Sequence, residues 1–238
     1  MGLFDFLNKK SPSSPVQKLA VKAADKRGMA PDRWEALQAL SRIESEEAIE
    51  ALLHRFTFYV DPSITDQEEK DSVFESIVAK GTLAAAPLKR FIRKSESLSW
   101  PLKMLDRVLP ADDVLAILLE LMGSMDTEYE RDPTRKLQLL AELESRRGPG
   151  VVQVVLPFLK DVNETARFHA VGALFAQEED ASEAREALLE LLGREDSMRT
   201  KARLLDGFTT RAWSVDPARA GRLPDGFALD PSGLPRRR

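Results

Sequence analysis

The chain has 238 residues, 43% hydrophobic and 31% charged, enough to build one sizeable core or a continuous repeat core. It contains no cysteine, which excludes disulfides, thiolate catalysis and Cys-ligated zinc or iron-sulfur sites, and a net charge of −4 argues against a protein that coats nucleic acid. The longest apolar run, Val114 to Leu119, is far too short for a membrane span, and scarce aromatics without Val/Ile/Thr alternation disfavour a β architecture.

Met1 to Lys10 gathers Leu3, Phe4, Phe6 and Leu7 ahead of two lysines. A signal peptide has the opposite order, and the myristoylation pattern fails at Phe6. The stretch reads either as a short hydrophobic anchor for a membrane surface or partner groove, or as a frayed terminus or a helix that packs on the first repeat. Ser11 to Pro15 then reads as a flexible joint, so residues 1–15 form a separate segment. From Val16 to Arg27 the spacing predicts a basic helix, with Lys18, Lys22 and Lys26 on a solvated face. Pro31 suits a helix's first turn, and Trp34, Leu37, Leu40 and Ile43 follow as an apolar stripe. The next helix carries Ala48, Ile49, Leu52, Leu53 and Phe56, with His54 on its flank as a structural residue.

Thr65 with Glu68 predicts a capping box. The acids Asp61, Asp66, Glu68, Glu69 and Asp71 lack the order and central glycine of a calcium loop, and read as helix N-terminal acids placed for the dipole. The helix through Val73 and Ile77 stops at Gly81, and another carries Leu83, Leu88, Phe91 and Ile92. Between Leu88 and Arg107 stand six bases against two acids. Second helices of stacked pairs line the concave side, so Lys89, Arg90, Arg93 and Lys94 are the candidate protein-binding residues, suited to an acidic or phosphorylated segment. The alternative is that they neutralise acidic neighbours.

Past Pro110, Val114 to Met122 predicts a helix buried on most sides. Asp132-Pro133 predicts a cap and first-turn proline ahead of Leu137 to Leu143, and Gly148-Pro-Gly150 turns the chain into Val151 to Leu159. The clearest unit runs from Asp161 to Leu192. Ala166, Ala170, Val171, Leu174 and Phe175 make one stripe, and Ala184, Leu188, Leu189, Leu191 and Leu192 a second, with small residues at Gly172 and Ala173 that let neighbouring helices approach. Between Asp161 and Asp196 there are ten acids against three bases. A last helix spans Met198 to Trp213. Residues 214–238, rich in Pro and Gly, predict an irregular cap in which Leu223, Phe227, Leu229 and Leu234 cover the end of the stack, followed by a solvated Arg236 to Arg238 tail.

Lys103, Arg135, Arg167 and Arg199 recur at 32-residue intervals, each ahead of an apolar or small pair. In the unit from Asp161 the order acid, base, small, leucine (Asp161, Arg167, Ala170, Leu174) resembles the HEAT-repeat proteins, in particular their short repeats related to phycobilisome-lyase repeats. In the other units Pro110, Glu142 and Asp206 stand where Leu174 would predict an apolar residue. The resemblance implies an all-α fold, an α-solenoid of antiparallel helix pairs over residues 16–213, and a non-catalytic scaffold or adaptor that binds a protein partner. It also leaves open a cofactor-attachment enzyme or chaperone, or a nucleic-acid binder. With two histidines and no G-x-S-x-G, P-loop or H-E-x-x-H pattern, the usual hydrolase and phosphoryl-transfer templates lack their parts; no cofactor or metal is expected, and a cytoplasmic location is. His169, near Arg167 on a helix, lacks an evident orienting acid.

Overall fold

The computed structural model describes residues 14–177 and 181–238. Among them are 13 α-helices and one two-stranded sheet, and 67% of the described residues are helical, so the all-α expectation holds. The chain divides into two compact units between Val114 and Leu115, inside a helix. No helix among the described residues is long and apolar enough to cross a membrane.

The first unit contains α1 (Pro15–Ala23), α2 (Ala30–Ser41), α3 (Glu46–Leu53), α4 (Ser63–Ala79), α5 (Ala85–Ile92), α6 (Ser99–Val108) and the start of α7 (Ala111–Gly123). Ser14 and Ser45 cap α1 and α3 by accepting from the Gln17 and Ala48 N–H groups, which satisfies donors that a helix start leaves open. Helices α2, α4 and α6 pack in succession, as do α1, α3 and α5, and α2 also packs on α3. Leu37, Leu40, Ile49, Leu52, Ile77, Leu88 and Ile92 are at most 1% exposed and fill the space between the two layers. Trp34 departs from its expected stripe: it is exposed, and Arg33 turns inward in its place.

The largest surprise in this unit is charge in the core. Arg33, Arg55, Asp66, Glu69 and Lys70 are all buried. Glu69 accepts from Arg33 Nε at 3.0 Å and from Arg55 Nε at 2.6 Å, while Asp66 accepts from Arg55 Nη2 and Lys70 Nζ, both at 2.7 Å. Burial pushes the Asp66 carboxyl up, but hydrogen bonds from Lys70, Arg55 and the Val60 N–H outweigh it and hold it below its ordinary value. The expected capping box does not form, because α4 starts at Ser63 with Pro62 at its cap position and no side-chain cap bond. Of the acids read as helix N-terminal acids placed for the dipole, Asp66 and Glu69 instead lie buried and anchor this network.

The second unit contains the rest of α7, then α8 (Thr134–Leu143), α9 (Val151–Val155) running into a 3-10 turn over Leu156–Lys160, α10 (Glu164–Ala176), α11 (Ala181–Arg194), α12 (Met198–Thr210) and α13 (Pro217–Ala220). Pro133 stands one position ahead of α8 rather than in its first turn, and Asp132 Oδ1 accepts from the Thr134 N–H. The two helices expected between Asp161 and Leu192 are present as α10 and α11, with Ala166, Ala170, Val171, Leu174, Leu188, Leu191 and Leu192 at most 1% exposed, and residues 178–180 between them lie outside the described residues. Here α8, α10 and α12 pack in succession, and α11 packs on the 156–160 turn and on α13. Close approach at Gly172 is as expected: a Cβ there would stand 2.0 Å from Arg203 Nη2, and one at Gly207 would stand 2.3 Å from the Phe175 ring.

A base near the start of a helix repeatedly grips the loop before it and an acid further along. Arg33 donates to the Asp25 and Gly28 carbonyls and pairs with Glu69. Lys136 donates to the Asp126 and Glu128 carbonyls and lies 2.9 Å from Asp161 Oδ2. Arg167 donates to the Asp161 and Val162 carbonyls and pairs with Glu195 at 2.7 Å. Of the bases on the regular 32-residue spacing, Arg199 instead pairs with Glu164 at 2.6 Å and stands over the Phe168 ring, so it does not share the surroundings of Arg167, while Arg135 is half-buried beside Lys136. Glu164 also accepts from Thr200 Oγ1 at 2.6 Å and Ser197 Oγ at 2.7 Å.

Burial pushes the Glu164 carboxyl up, yet the bonds from Thr200, Ser197 and Arg199 bring it from an ordinary 4.5 down to about 2. A carboxyl lower in the folded than the unfolded chain stabilises fully above its unfolded value and loses that contribution as pH falls through the folded one. Glu164→Gln is therefore expected to flatten the acid limb of a thermal-melting profile below about pH 4.5, with the difference from the parent vanishing near pH 2. A parallel offset at all pH values would assign Glu164 no such linkage.

The irregular cap expected over 214–238 is more ordered than its composition suggested. After α13, β1 (Phe227–Leu229) pairs antiparallel with β2 (Pro235–Arg237), Phe227 opposite Arg237. Asp230 Oδ1 accepts from the Ser232 and Leu234 N–H groups and Gly233 takes φ +81°, which together turn the hairpin. The hairpin packs on α12, where Thr209 Oγ1 donates to the Pro235 carbonyl, and Phe227 is buried while Leu223, Leu229 and Leu234 are half-buried. The terminal arginines are exposed but not all unpaired: Arg236 pairs with Asp230 and Arg237 with Asp206.

Candidate functional site

The four bases singled out in the sequence stand in different surroundings. Arg90 lies against α3, its Nη2 2.6 Å from Glu46 Oε2 and 2.7 Å from Glu50 Oε1. Hydrogen bonding to Glu46 leads the causes that raise its pKa, so its charge is used within the fold. Arg93 is exposed and donates to the Lys89 carbonyl at 3.5 Å. Lys89 is half-buried on the same helix, and only Lys94 reaches the hollow described next. Reversing all four charges would set a new acid beside Glu46 and Glu50, which makes the set a poor probe of binding alone.

Where α3 ends, where α5 ends and where α6 begins, the chain encloses a cleft of about 380 Å³. Phe56, Tyr59, Phe91 and Trp100 supply aromatic surface, and Lys70, Lys94 and Glu96 supply charge. The Trp100 ring lies 5.1 Å from that of Phe56 and 5.9 Å from that of Phe74, in tilted contacts that fix it. Lys103 Nζ stands 5.2 Å over Trp100 and Lys70 Nζ 3.9 Å over Tyr59. Tyr59 is 85% exposed, an unusual state for a large ring. The residues on both sides of it are nevertheless tied down: the Phe58 carbonyl accepts from Arg55 Nη1 at 3.1 Å, and the Val60 N–H donates to Asp66 Oδ1 at 3.0 Å. The buried charge network thus anchors the backbone on both sides of an exposed aromatic residue.

Sequence reasoning missed this cleft. Its rings come from separate elements that no single stretch of sequence brings together. The signals within reach were the four-residue spacing of Asp66 and Lys70, which a buried pair also satisfies, and the clustering of aromatics between Phe56 and Tyr59 in a chain poor in them.

In the second unit His169 does have an orienting acid. Its Nδ1 stands 2.5 Å from Glu144 Oε1, and Glu144 also binds Arg203 in a two-pronged contact. The Glu144 carboxyl is pushed up by burial, but bonding to His169 and Arg203 brings it below its ordinary value. Phe168 lies between the guanidinium groups of Arg199 and Arg203, at 4.4 and 4.2 Å. Contributed by α8, α10 and α12, these groups pin three successive helices together. His54 packs against Phe58 at 5.7 Å, and burial followed by the nearby Lys26 charge lowers its pKa. A second hollow, about 340 Å³, is lined by Glu128, Tyr129, Lys136 and Val162 among others, with Lys136 already engaged by Asp161.

Among the described residues no group of three or more His, Asp or Glu is arranged to hold a metal ion. Leu3, Phe4, Phe6 and Leu7, and the acids Glu178, Glu179 and Asp180, lie outside the described residues. No family model matches the chain, and no curated protein or solved structure matches it.

Proposed function

We propose that the protein is a non-catalytic, HEAT-like repeat protein of the cytoplasm that serves as a scaffold or adaptor for a protein partner. Each unit is read as a stack of antiparallel helix pairs, an α-solenoid segment. The observation that carries this reading is the packing order: first helices follow one another (α2, α4, α6; α8, α10, α12) while second helices form their own succession (α1, α3, α5). Such stacks present a continuous side of second helices, and α5 with its bases belongs to that side. The aromatic cleft at the end of α5 adds apolar surface of the kind on which protein interfaces centre.

The test is affinity isolation of the full chain from its native source, with crosslinking at lysines read by mass spectrometry. The expected result is a stoichiometric protein partner crosslinked through Lys89 or Lys94. Isolation with a coloured ligand and no protein would replace this reading by cofactor attachment. Tight, steeply salt-dependent nucleic-acid binding would replace it by the third alternative.

A further inference from the structure

We infer that the cleft between Tyr59 and Trp100 seats one large apolar or aromatic side chain carried on an acidic segment of a partner protein. This rests on the docking reading above and goes further by naming the place and the chemistry of the bound segment.

Three observations carry it. The first is preorganised apolar surface: Phe91 lies buried at the cleft, Trp100 is fixed by Phe56 and Phe74, and Tyr59 stands 85% exposed between two backbone anchors. With its backbone anchored on both sides and Lys70 Nζ 3.9 Å over its ring, Tyr59 has less backbone freedom to lose when a partner covers it, a condition that favours affinity. The second is charge. Lys70 is already met by Asp66, but Lys94 in the cleft and Lys103 over Trp100 form no ion pair with any described carboxylate, against the single acid Glu96. The uncompensated sign is positive, so acids flanking the inserted side chain are favoured and basic segments repelled. The third is size and openness. At about 380 Å³ the cleft holds a side chain or two, and its exposed rim at Tyr59, Lys94 and Glu96 would leave a lone small molecule largely uncovered, whereas a polypeptide continues across it.

Selection of short random peptides displayed on phage against the full chain tests this directly. The expected winners carry Trp, Phe or Leu flanked by Asp or Glu. Their affinity, measured by fluorescence anisotropy on synthetic dye-labelled copies, should fall about tenfold or more in Tyr59→Ala and in Lys94→Glu. Both sites are exposed, so thermal melting should be unchanged, and Arg27→Glu, on an exposed loop, should leave binding as it was. Replacing the peptide's acids by their amides, or its large side chain by Ala, should weaken binding to the same degree. The inference is overturned by no enrichment, by winners that are basic or lack a large apolar residue, or by affinities indifferent to both variants. A natural partner that crosslinks only elsewhere removes the cleft but leaves the scaffold reading standing; isolation without a protein partner removes both.

Discussion

Glu69→Gln is expected to destabilise the protein by about 3 to 5 kcal/mol, the range for breaking a buried ion pair from one side. Glu69 is 1% exposed and is the carboxylate shared by two guanidinium groups, with Arg33 Nη2 at 2.9 Å and Arg55 Nε at 2.6 Å. The network holds three bases against two acids, so it already leans positive, and backbone carbonyls at Asp25, Gly28, Phe58 and Asp66 take up the remaining donors. An amide keeps the shape but withdraws the charge and turns an N–H₂ group toward guanidinium donors. Neither arginine can escape to water without opening the interface of α2, α3 and α4. Urea unfolding gives the number directly. As a control, Glu46→Gln removes an acid 49% exposed that pairs at 2.6 Å with Arg90, itself 41% exposed and still met by Glu50, and should cost well under 1 kcal/mol. Equal small losses for both would mean the buried charges are far better solvated than their exposure implies.

That network also explains what sequence reading could and could not supply. Where a helix buries an apolar stripe against like neighbours, periodicity and burial agree, as at Leu37 and Leu40, at Ile49 and Leu52, and through α10 and α11. Gly172 was legible as a close-approach site because a missing side chain in an apolar helix has few other uses. Hydropathy fails where a charge is buried, since its cost is met by a partner that local pattern does not reveal: Arg33 meets Glu69 at 36 residues' separation, and Glu144 meets His169 at 25. The inward turn of Arg33 is also why Trp34, its neighbour on the helix, faces out. The candidate bases suffered from the same blindness. Their clustering was plain, but Arg90 is tied to Glu46 and Glu50 across 40 or more residues, and the rings around Lys94 come from elements no window spans.

Leu174→Ala is the second large effect, expected toward the upper part of the 2 to 5 kcal/mol range for such truncations. On α10 the buried face is Ala166, Ala170, Val171, Ala173 and Leu174, all at 0% exposure, so Leu174 carries the largest side chain of that face. The cost of a truncation depends on whether the walls can close over the space left behind, and here they are held apart. Arg167 to Glu195 ties the start of α10 to the end of α11, and Glu144 to Arg203 and His169 ties α8 and α12 to its middle. The Phe175 ring meets Phe208 edge-on at 5.6 Å and would stand 2.3 Å from any Cβ at Gly207, so α12 is already at its nearest approach there. A void therefore persists, and its lining forfeits dispersion contacts as well as transfer free energy. Urea titration of Leu174→Ala beside Leu174→Met separates the two contributions, since methionine keeps the volume and should cost less than about 1.5 kcal/mol. A loss for alanine as small as that for methionine would mean that α10 can settle toward its neighbours, and that the ion pairs around it are yielding contacts rather than fixed posts.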